Sequence, residues 1–441
     1  MRTPGVAEGV DGSPRIVRRD VGARLRRVAM VCALGSTIDW YDFFIYGLGA
    51  ELIFGRQFFA ELSPAAGKMA ALATFGVGFL ARPVGAGIWG HFGDQLGRRA
   101  VLVPSLLLMG AATVGIGLLP GYASIGLWAP VVLVMLRLVQ GLSVGGLWSG
   151  AVLLVVEHTP AARRGWYTSF VAVGAPAGFI LAQLAFFVGR GLLSSAQFVA
   201  WGWRIPFLAS IMLVVVGSLI WLRVPESPVF RALSDSRALS LAPLDELCRH
   251  RGRELVLASL SFMANATVGC VFMVYLMPYG TEVLKLSPNL MLVVLVVGAM
   301  TWLFAILGSG AWSDRFRGKV VYLAGLVVLV AWAVPLFLLV DTRVPVLLIV
   351  AVIVLGIGLG ATHGPQPALF AGMFEPKFRY SGVSLSFAMG AMLGAGVAPF
   401  IATVLRERTG TSLSISAYLI VVGLISLAVV PAIREPRADH P

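Results

Sequence analysis

Charge is scarce in this chain. Only 12% of its 441 residues are Asp, Glu, Lys or Arg, against 58% apolar, and the mean hydropathy is +0.88. A soluble domain carries about twice that share of charge, so water is excluded as the main solvent. Cysteine is sparse too. Cys32, Cys248 and Cys270 stand without pairing or metal-ligand spacing, which supports neither a disulfide framework nor a zinc site and leaves them as packing or loop residues. Histidines paired at metal spacing, a Gly-x-Ser-x-Gly and a phosphate-cradling Gly-x-x-x-x-Gly-Lys are all missing, so a membrane-embedded enzyme and a nucleotide-driven pump lack their chemistry. No cofactor and no metal is expected. Neither tail is long enough for a signalling domain, which argues against a membrane sensor. The first apolar run begins near Val28, is full-length and has no small-residue cleavage site, so the first helix is expected to be retained.

What is present is a series of long apolar runs. A helix crossing a bilayer takes roughly 20 residues, which gives this chain room for about twelve. The runs are continuous and do not alternate, which rules out a strand barrel. Read between charged punctuation, they fall near 28–54, 68–90, 100–119, 129–154, 165–188 and 203–223, then 254–280, 289–311, 319–340, 345–372, 380–405 and 412–433. The expected fold is an all-α membrane protein of twelve transmembrane helices in two six-helix bundles. A tail, 1–27, precedes the first bundle, 28–223; a linker, 224–253, joins it to the second, 254–433; and a tail, 434–441, ends the chain.

The formal charge of +13 could suggest nucleic acid, but the placement of the basic residues points to lipid. With the N-terminus inside, 24 of the 34 Lys and Arg fall in segments on that side and 7 on the other, while Arg82, Arg137 and Arg204 lie within or beside spans. The bias satisfies the positive-inside rule, so both termini are expected in the cytoplasm of a bacterial cell, and the partners are the bilayer of its inner membrane, a small solute and protons, with no nucleic acid. A monomer is expected.

Two echoes suggest duplication of a six-helix unit. Gly90, Asp94, Arg98 and Arg99 after the second span are matched by Gly310, Asp314, Arg317 and Lys319 after the eighth, and Pro160 and Arg163 are matched by Pro376 and Arg379. Such pseudo-symmetry puts a substrate site between the halves near the midplane.

From about Gly35 to Arg406 the chain resembles the major facilitator superfamily and, within it, the metabolite:proton symporter family. The resemblance is carried by Asp39-Trp-Tyr-Asp-Phe-Phe, Gly76-Val-Gly-Phe-Leu-Ala-Arg-Pro-Val-Gly, Gly90-His-Phe-Gly-Asp-Gln-Leu-Gly-Arg-Arg, Arg137-Leu-Val-Gln-Gly, Pro225-Glu-Ser-Pro-Val-Phe and Arg379-Tyr-Ser-Gly-Val-Ser, in that order. It implies an alternating-access carrier driven by inward proton flow, for carboxylates, shikimate-like acids or zwitterionic osmolytes. Three positions depart from the family's pattern: Leu147 stands where a glutamate is usual, Gln95 where a basic residue is usual, and Arg317-Gly318 reverses the favoured order. A proton-driven exporter and a facilitative uniporter remain alternatives, the first on the small-residue stretch Gly174 to Gly178.

Charges inside the bilayer are functional candidates by default. Asp39, Asp42 and Tyr46 share one helix face, and Asp39 and Arg82 lie at comparable depth, so an acidic face is expected to meet Arg82 between the first two spans. Arg137 and Gln140 are neighbours one turn apart, and Leu147 continues their stripe; with no carboxylate there, Arg137 is expected to be free for a substrate's negative group, which its planar fork can grip with two hydrogen bonds. Gln183, Asn265, Tyr275, His363 and Gln366 are candidates to line the cavity, though polar residues within spans more often join helix to helix. At the cytoplasmic ends, Gly90, Asp94, Gly97, Arg98 and Arg99, helped by Glu157, and the second copy at Asp314 and Arg315 are expected to form a gate. Asp94 would carry it, as the resemblance implies for this loop.

Overall fold

The computed structural model describes residues 14–434 and is helical throughout, with no strand among the described residues. Among the described residues, eleven helices are long and apolar enough to cross a membrane. They are α1 (Gly22–Phe58), α2 (Ala66–Leu96), α3 (Arg98–Leu118), α4 (Trp128–His158) and α5 (Ala161–Leu192) in the first half. In the second they are α7 (Pro243–Val283), α8 (Pro288–Arg315), α9 (Gly318–Asp341), α10 (Pro345–Met373), α11 (Arg379–Thr409) and α12 (Leu413–Ala432). The expected sixth span, α6, is broken into Arg204–Ala209 and Met212–Arg223 by a turn at Ser210 and Ile211, so neither piece alone has spanning length. A short amphipathic helix, Pro228–Asp235, lies in the linker, capped by Ser227, whose hydroxyl accepts from the Phe230 N–H at 3.1 Å.

Each half buries its helices against one another: α1 on α5, α2 on α4 and α3 on α4 in the first, α7 on α11, α8 on α10 and α9 on α12 in the second. Between the halves the main contacts are α2 with α11 and α5 with α8. These two seams are pseudo-symmetric, because the second and fifth helices of each half stand opposite the fifth and second of the other. The first helix of each half also loosens at the same end: α1 passes through a π-helical stretch at Ala50–Phe54, and α7 through two, at Val271–Tyr275 and Tyr279–Val283. Small residues allow close approach where α5 crosses α1: a Cβ on Gly178 would lie 2.6 Å from the Tyr41 nitrogen. For Gly174 to Gly178, helix packing is therefore a sufficient explanation.

Candidate functional site

A cavity of about 40 Å³ lies between the halves, with walls from both. Its polar lining comes from Arg82 on α2, Asn265 and Cys270 on α7, Trp302 on α8 and His363 on α10. Aromatic rings and small or aliphatic side chains share the remaining wall, the rings being Trp40, Phe43 and Phe44 of α1, Phe79 of α2, Phe262 of α7 and Phe387 of α11. This volume holds a few waters at most and is far below the roughly 300 Å³ at which ligand pockets begin, so the molecule is seen closed around the site.

Arg82 is buried, with its guanidinium 4.4 Å from the Phe79 ring centre and 4.7 Å from that of Phe43. Among the described residues it makes no ion pair and no hydrogen bond. The expected pairing with Asp39 is therefore absent in this conformation, and the two rings, packed edge-to-face at 5.3 Å from one another, take the place of a counter-ion on one side of it. Its N–H donors lie in the plane of the fork and remain available to an anion in the cavity. His363 belongs to the same lining, buried, with both ring nitrogens unpartnered and its ring 5.7 Å from Trp302, whose indole N–H is also unpartnered. The Asn265 amide donates to the Thr362 hydroxyl at 2.5 Å and the Leu359 carbonyl at 3.2 Å, tying α7 to α10.

The remaining intramembrane candidates lie elsewhere. Asp39 faces a smaller void with Ser36, Leu147 and Trp148, and both Asp39 Oδ1 and the Ser36 hydroxyl lack a partner. Asp42 turns to α6, accepting from the Ser210 hydroxyl, with its second oxygen unpartnered. Tyr46 shares a 2.6 Å hydrogen bond with Thr74. The three thus engage separate partners and do not present one acidic face to Arg82. Arg137 lies within the first half, its guanidinium 4.0 Å over the Tyr46 ring and 3.1 Å from the Gln140 carbonyl oxygen; Gln140 in turn donates to Thr113 at 2.7 Å. It fits because α2 has Gly78 there: a Cβ would lie 2.6 Å from Arg137 Nε.

Leu147 stands ten residues from Arg137, roughly 15 Å along the helix. A carboxylate in its place would adjoin Asp39 and not Arg137, which corrects the expected link between Leu147 and Arg137. Gln183, Tyr275 and Gln366 are buried but do not line the cavity; Tyr275 stacks on Tyr279 at 5.6 Å, and both side-chain ends of Gln366 are unpartnered. Cys270, expected to be a packing residue, does line it. Arg204 caps the closing carbonyls of α3, donating to Gly117 and Leu119 at 2.7 and 2.8 Å.

At the basic end the halves are latched twice. Asp94, at the end of α2, accepts from the Tyr380 and Ser381 backbone N–H groups that open α11, both at 2.9 Å. Asp314, at the end of α8, accepts from those of Gly165 and Trp166 in the first turns of α5, at 2.7 and 2.9 Å. Each acid thus answers the unsatisfied donors and positive dipole end of a helix in the other half. Gly90 brings α2 against α11, where a Cβ would lie 2.8 Å from Ser381 Cα.

The wholly buried Arg98 guanidinium gathers the rest: it donates to Glu157 at 3.0 and 3.2 Å, to the Gly93 carbonyl at 2.9 Å and to that of Pro376 at 3.1 Å, with Asp94 3.7 Å away. Glu157 also receives Arg379 at 3.4 Å and the Ser227 hydroxyl. Gly97 turns the chain at a φ of +113°, where a side chain is disfavoured, and lets Glu226 accept from the Arg98 and Arg99 N–H groups that start α3. Gln95 anchors the linker by donating to the Leu241 carbonyl at 2.9 Å.

Two sequence expectations change here. The Arg315 side chain makes no hydrogen bond or ion pair with a described residue and lines an outer groove instead of the latch. The partner of Arg379 in the repeat is Arg164 and not Arg163: each reaches back five residues with its Nε, to Phe374 and Thr159. Glu226, Ser227 and Tyr380, whose hydroxyl donates to Gly146 at 2.7 Å, belong to this cluster and were not singled out individually, although both motifs that contain them had been. Above it, Trp148, Phe387 and Phe262 stack face to face at 4.0 and 4.7 Å, closing the cavity floor. At the opposite end Lys68 of α2 and Glu282 of α7 form an ion pair at 2.6 Å.

Two half-bundles joined by pseudo-symmetric seams around a central cavity define a major facilitator fold. The sequence profile of the Major Facilitator Superfamily matches residues 32–399 and again 303–441. The chain is 37% identical over 421 residues to the inner membrane metabolite transport protein YhjE of Escherichia coli K12, covering 93% of this chain and 94% of that one. It is likewise 37% identical to the E. coli shikimate transporter, with 92% and 93% covered, and 30% identical to the proline/betaine transporter of Salmonella typhimurium, with 95% and 85% covered. Among solved structures, the proton:xylose symporter XylE superposes with a TM-score of 0.74 at 16% identity, covering 95% of this chain and 97% of XylE. The chain belongs to the major facilitator superfamily and is a multi-pass membrane transporter.

Proposed function

We propose that this transporter carries a small monocarboxylate through the central cavity by alternating access, with a proton moving in the same direction. The observation that carries the reading is Arg82, the one charged side chain that the described residues bring to the cavity lining, seated against two rings and without a hydrogen-bond or ion-pair partner among them. One arginine and no carboxylate match a single negative group and leave a second one, or a free ammonium, without a partner. The aromatic walls suit a flat or ring-shaped body, and His363 and the Trp302 N–H offer it hydrogen bonds. The relative named for shikimate carries a solute with one carboxyl group and no ammonium, which agrees with this reading; proline, named for another, adds an ammonium that this lining does not match.

The proton is assigned to Asp39, whose unpartnered Oδ1 opens on a void beside the cavity wall at Trp148 and within the electrostatic reach of Arg82. The basic end is taken as cytoplasmic, on the distribution of Lys and Arg. Leu147, which deprives Asp39 of a neighbouring acid, favours a uniporter as the second reading.

Purified protein in proteoliposomes, offered labelled shikimate, benzoate, succinate, betaine and proline, separates the possibilities. Accumulation of a monocarboxylate above equilibrium with an inward proton gradient, lost in Asp39→Asn while counterflow persists, is expected. Equilibration regardless of gradient would leave a uniporter, and selective uptake of succinate would overturn the monocarboxylate assignment.

A further inference from the structure

The two seams between the halves are alike in their latches and unlike in what covers them. Over the α2–α11 seam lies the linker. Its Glu226 sits on the start of α3, Leu241 is held by Gln95, Glu246 pairs with Lys377 at 2.9 Å, and Arg251 pairs with Glu375 at 2.7 Å. Protein acids there meet basic groups and N–H donors at the mouth of the seam. Over the α5–α8 seam the described residues leave instead an open groove of about 730 Å³. Its rim carries Arg26 from α1, Arg163 from the start of α5 and Arg315 from the end of α8, all exposed and none with its side chain in a hydrogen bond or ion pair to a described residue. Asp314, the one acid in its lining, is already engaged by two N–H groups. Below the arginines the walls are apolar: Met30, Trp166 and Phe170, continuing onto the outward-facing Trp312.

We propose that this groove binds an anionic phospholipid of the leaflet at the basic end, with its phosphate on the three arginines and its acyl chains along the α1–α5–α8 wall. Three arguments favour a lipid over a soluble anion or an acidic protein segment. The arginines sit where the apolar runs end, at headgroup depth. The groove is continuous with a surface of exposed Trp, Met and Phe that faces hydrocarbon. Its charge is complementary to phosphate, with three donors of forked geometry and no free acid.

The bound lipid takes on the α5–α8 seam the place that the linker acids hold on the α2–α11 seam. Because the arginines come from both halves, the lipid spans the contact that must part when the basic end opens, and so favours the closed state. This inference rests on the groove and not on the identity of the transported solute.

The test is native mass spectrometry of the detergent-purified protein titrated with phosphatidylglycerol or phosphatidylcholine, for wild type and the triple variant R26Q/R163Q/R315Q. All three sites are exposed, and R26K/R163K/R315K checks that charge is what matters. Each arginine is worth roughly a fivefold change in anionic-lipid affinity, so the glutamine variant is expected to weaken phosphatidylglycerol binding on the order of 100-fold. The lysine variant should retain most of it, and phosphatidylcholine should bind weakly throughout. Equal retention of both lipids by wild type, or unchanged phosphatidylglycerol binding in the glutamine variant, would overturn the proposal. So would full displacement of phosphatidylglycerol by inorganic phosphate at matched concentration, which would make the groove a site for free anions.

Discussion

Replacing Asp94 by asparagine removes one charge and keeps the shape, so it isolates what the acid does for closure. In the closed state both Asp94 oxygens accept a backbone N–H of α11 at 2.9 Å, in a place almost without water. A hydrogen bond to a charged acceptor contributes about 1.5–3 kcal/mol and a neutral one about 0.5–1.5 kcal/mol, and an amide has only one oxygen to offer. One N–H keeps a weaker bond and the other faces an NH₂ group, a combined cost of about 2–4 kcal/mol to the closed state. In the open state both N–H groups are hydrated and lose nothing. The closed-to-open ratio at the basic end should therefore fall by roughly 30- to 1,000-fold.

Spin labels on cysteines placed at Leu96 and Phe316, both well exposed and on opposite halves, with Cys248 changed to serine, report this directly. A second, longer distance should become the main population in D94N, and uptake should slow while membrane insertion is unchanged. Asp314→Asn should act in the same direction but more weakly, because that carboxylate is only half-buried and water replaces part of what is lost. An unchanged distance distribution in D94N, or an Asp314 effect exceeding that of Asp94, would refute the reasoning.

Three further outcomes are expected. Gly90→Ala places a Cβ 2.8 Å from Ser381 Cα and should push α11 away, raising the same long-distance population without removing any charge. In Gly78→Ala the new Cβ meets Arg137 Nε at 2.6 Å, and displacing the guanidinium from Tyr46 should cost about 1–3 kcal/mol, seen as a lower midpoint of thermal unfolding in detergent. Lys68→Gln breaks an exposed ion pair worth less than about 1 kcal/mol, so uptake should change less than about fivefold and the difference should vanish at high salt; a tenfold, salt-independent loss would contradict this.

The spans were legible because lipid imposes one rule on every residue of a helix, and that rule is written in composition. Even so, α6 was expected to be whole, since a turn at Ser210 and Ile211 leaves no mark on hydropathy. The latch acids were legible from their repeated spacing with glycine. Their partners were not, because backbone N–H groups have no sequence signature, and the symmetric pairing of Asp94 with α11 and Asp314 with α5 appears only once the helices are packed. Depth along a helix put Arg82 within the membrane, level with Asp39. Depth could not say that Phe43 and Phe79 would take the place expected for Asp39, nor that Arg137 would turn inward onto Tyr46, because direction around a helix depends on which neighbours are small. Trp302, Phe387 and Cys270 carried no signal, as such residues line packed helices and cavities alike.

The most direct measurement is counterflow in proteoliposomes, which needs neither a gradient nor knowledge of direction. With unlabelled monocarboxylate inside and a trace of labelled solute outside, wild type should load the label transiently. Arg82→Gln should not, although it inserts and gives the same Leu96–Phe316 distances. Counterflow at the wild-type rate in Arg82→Gln would contradict a central site built on this arginine.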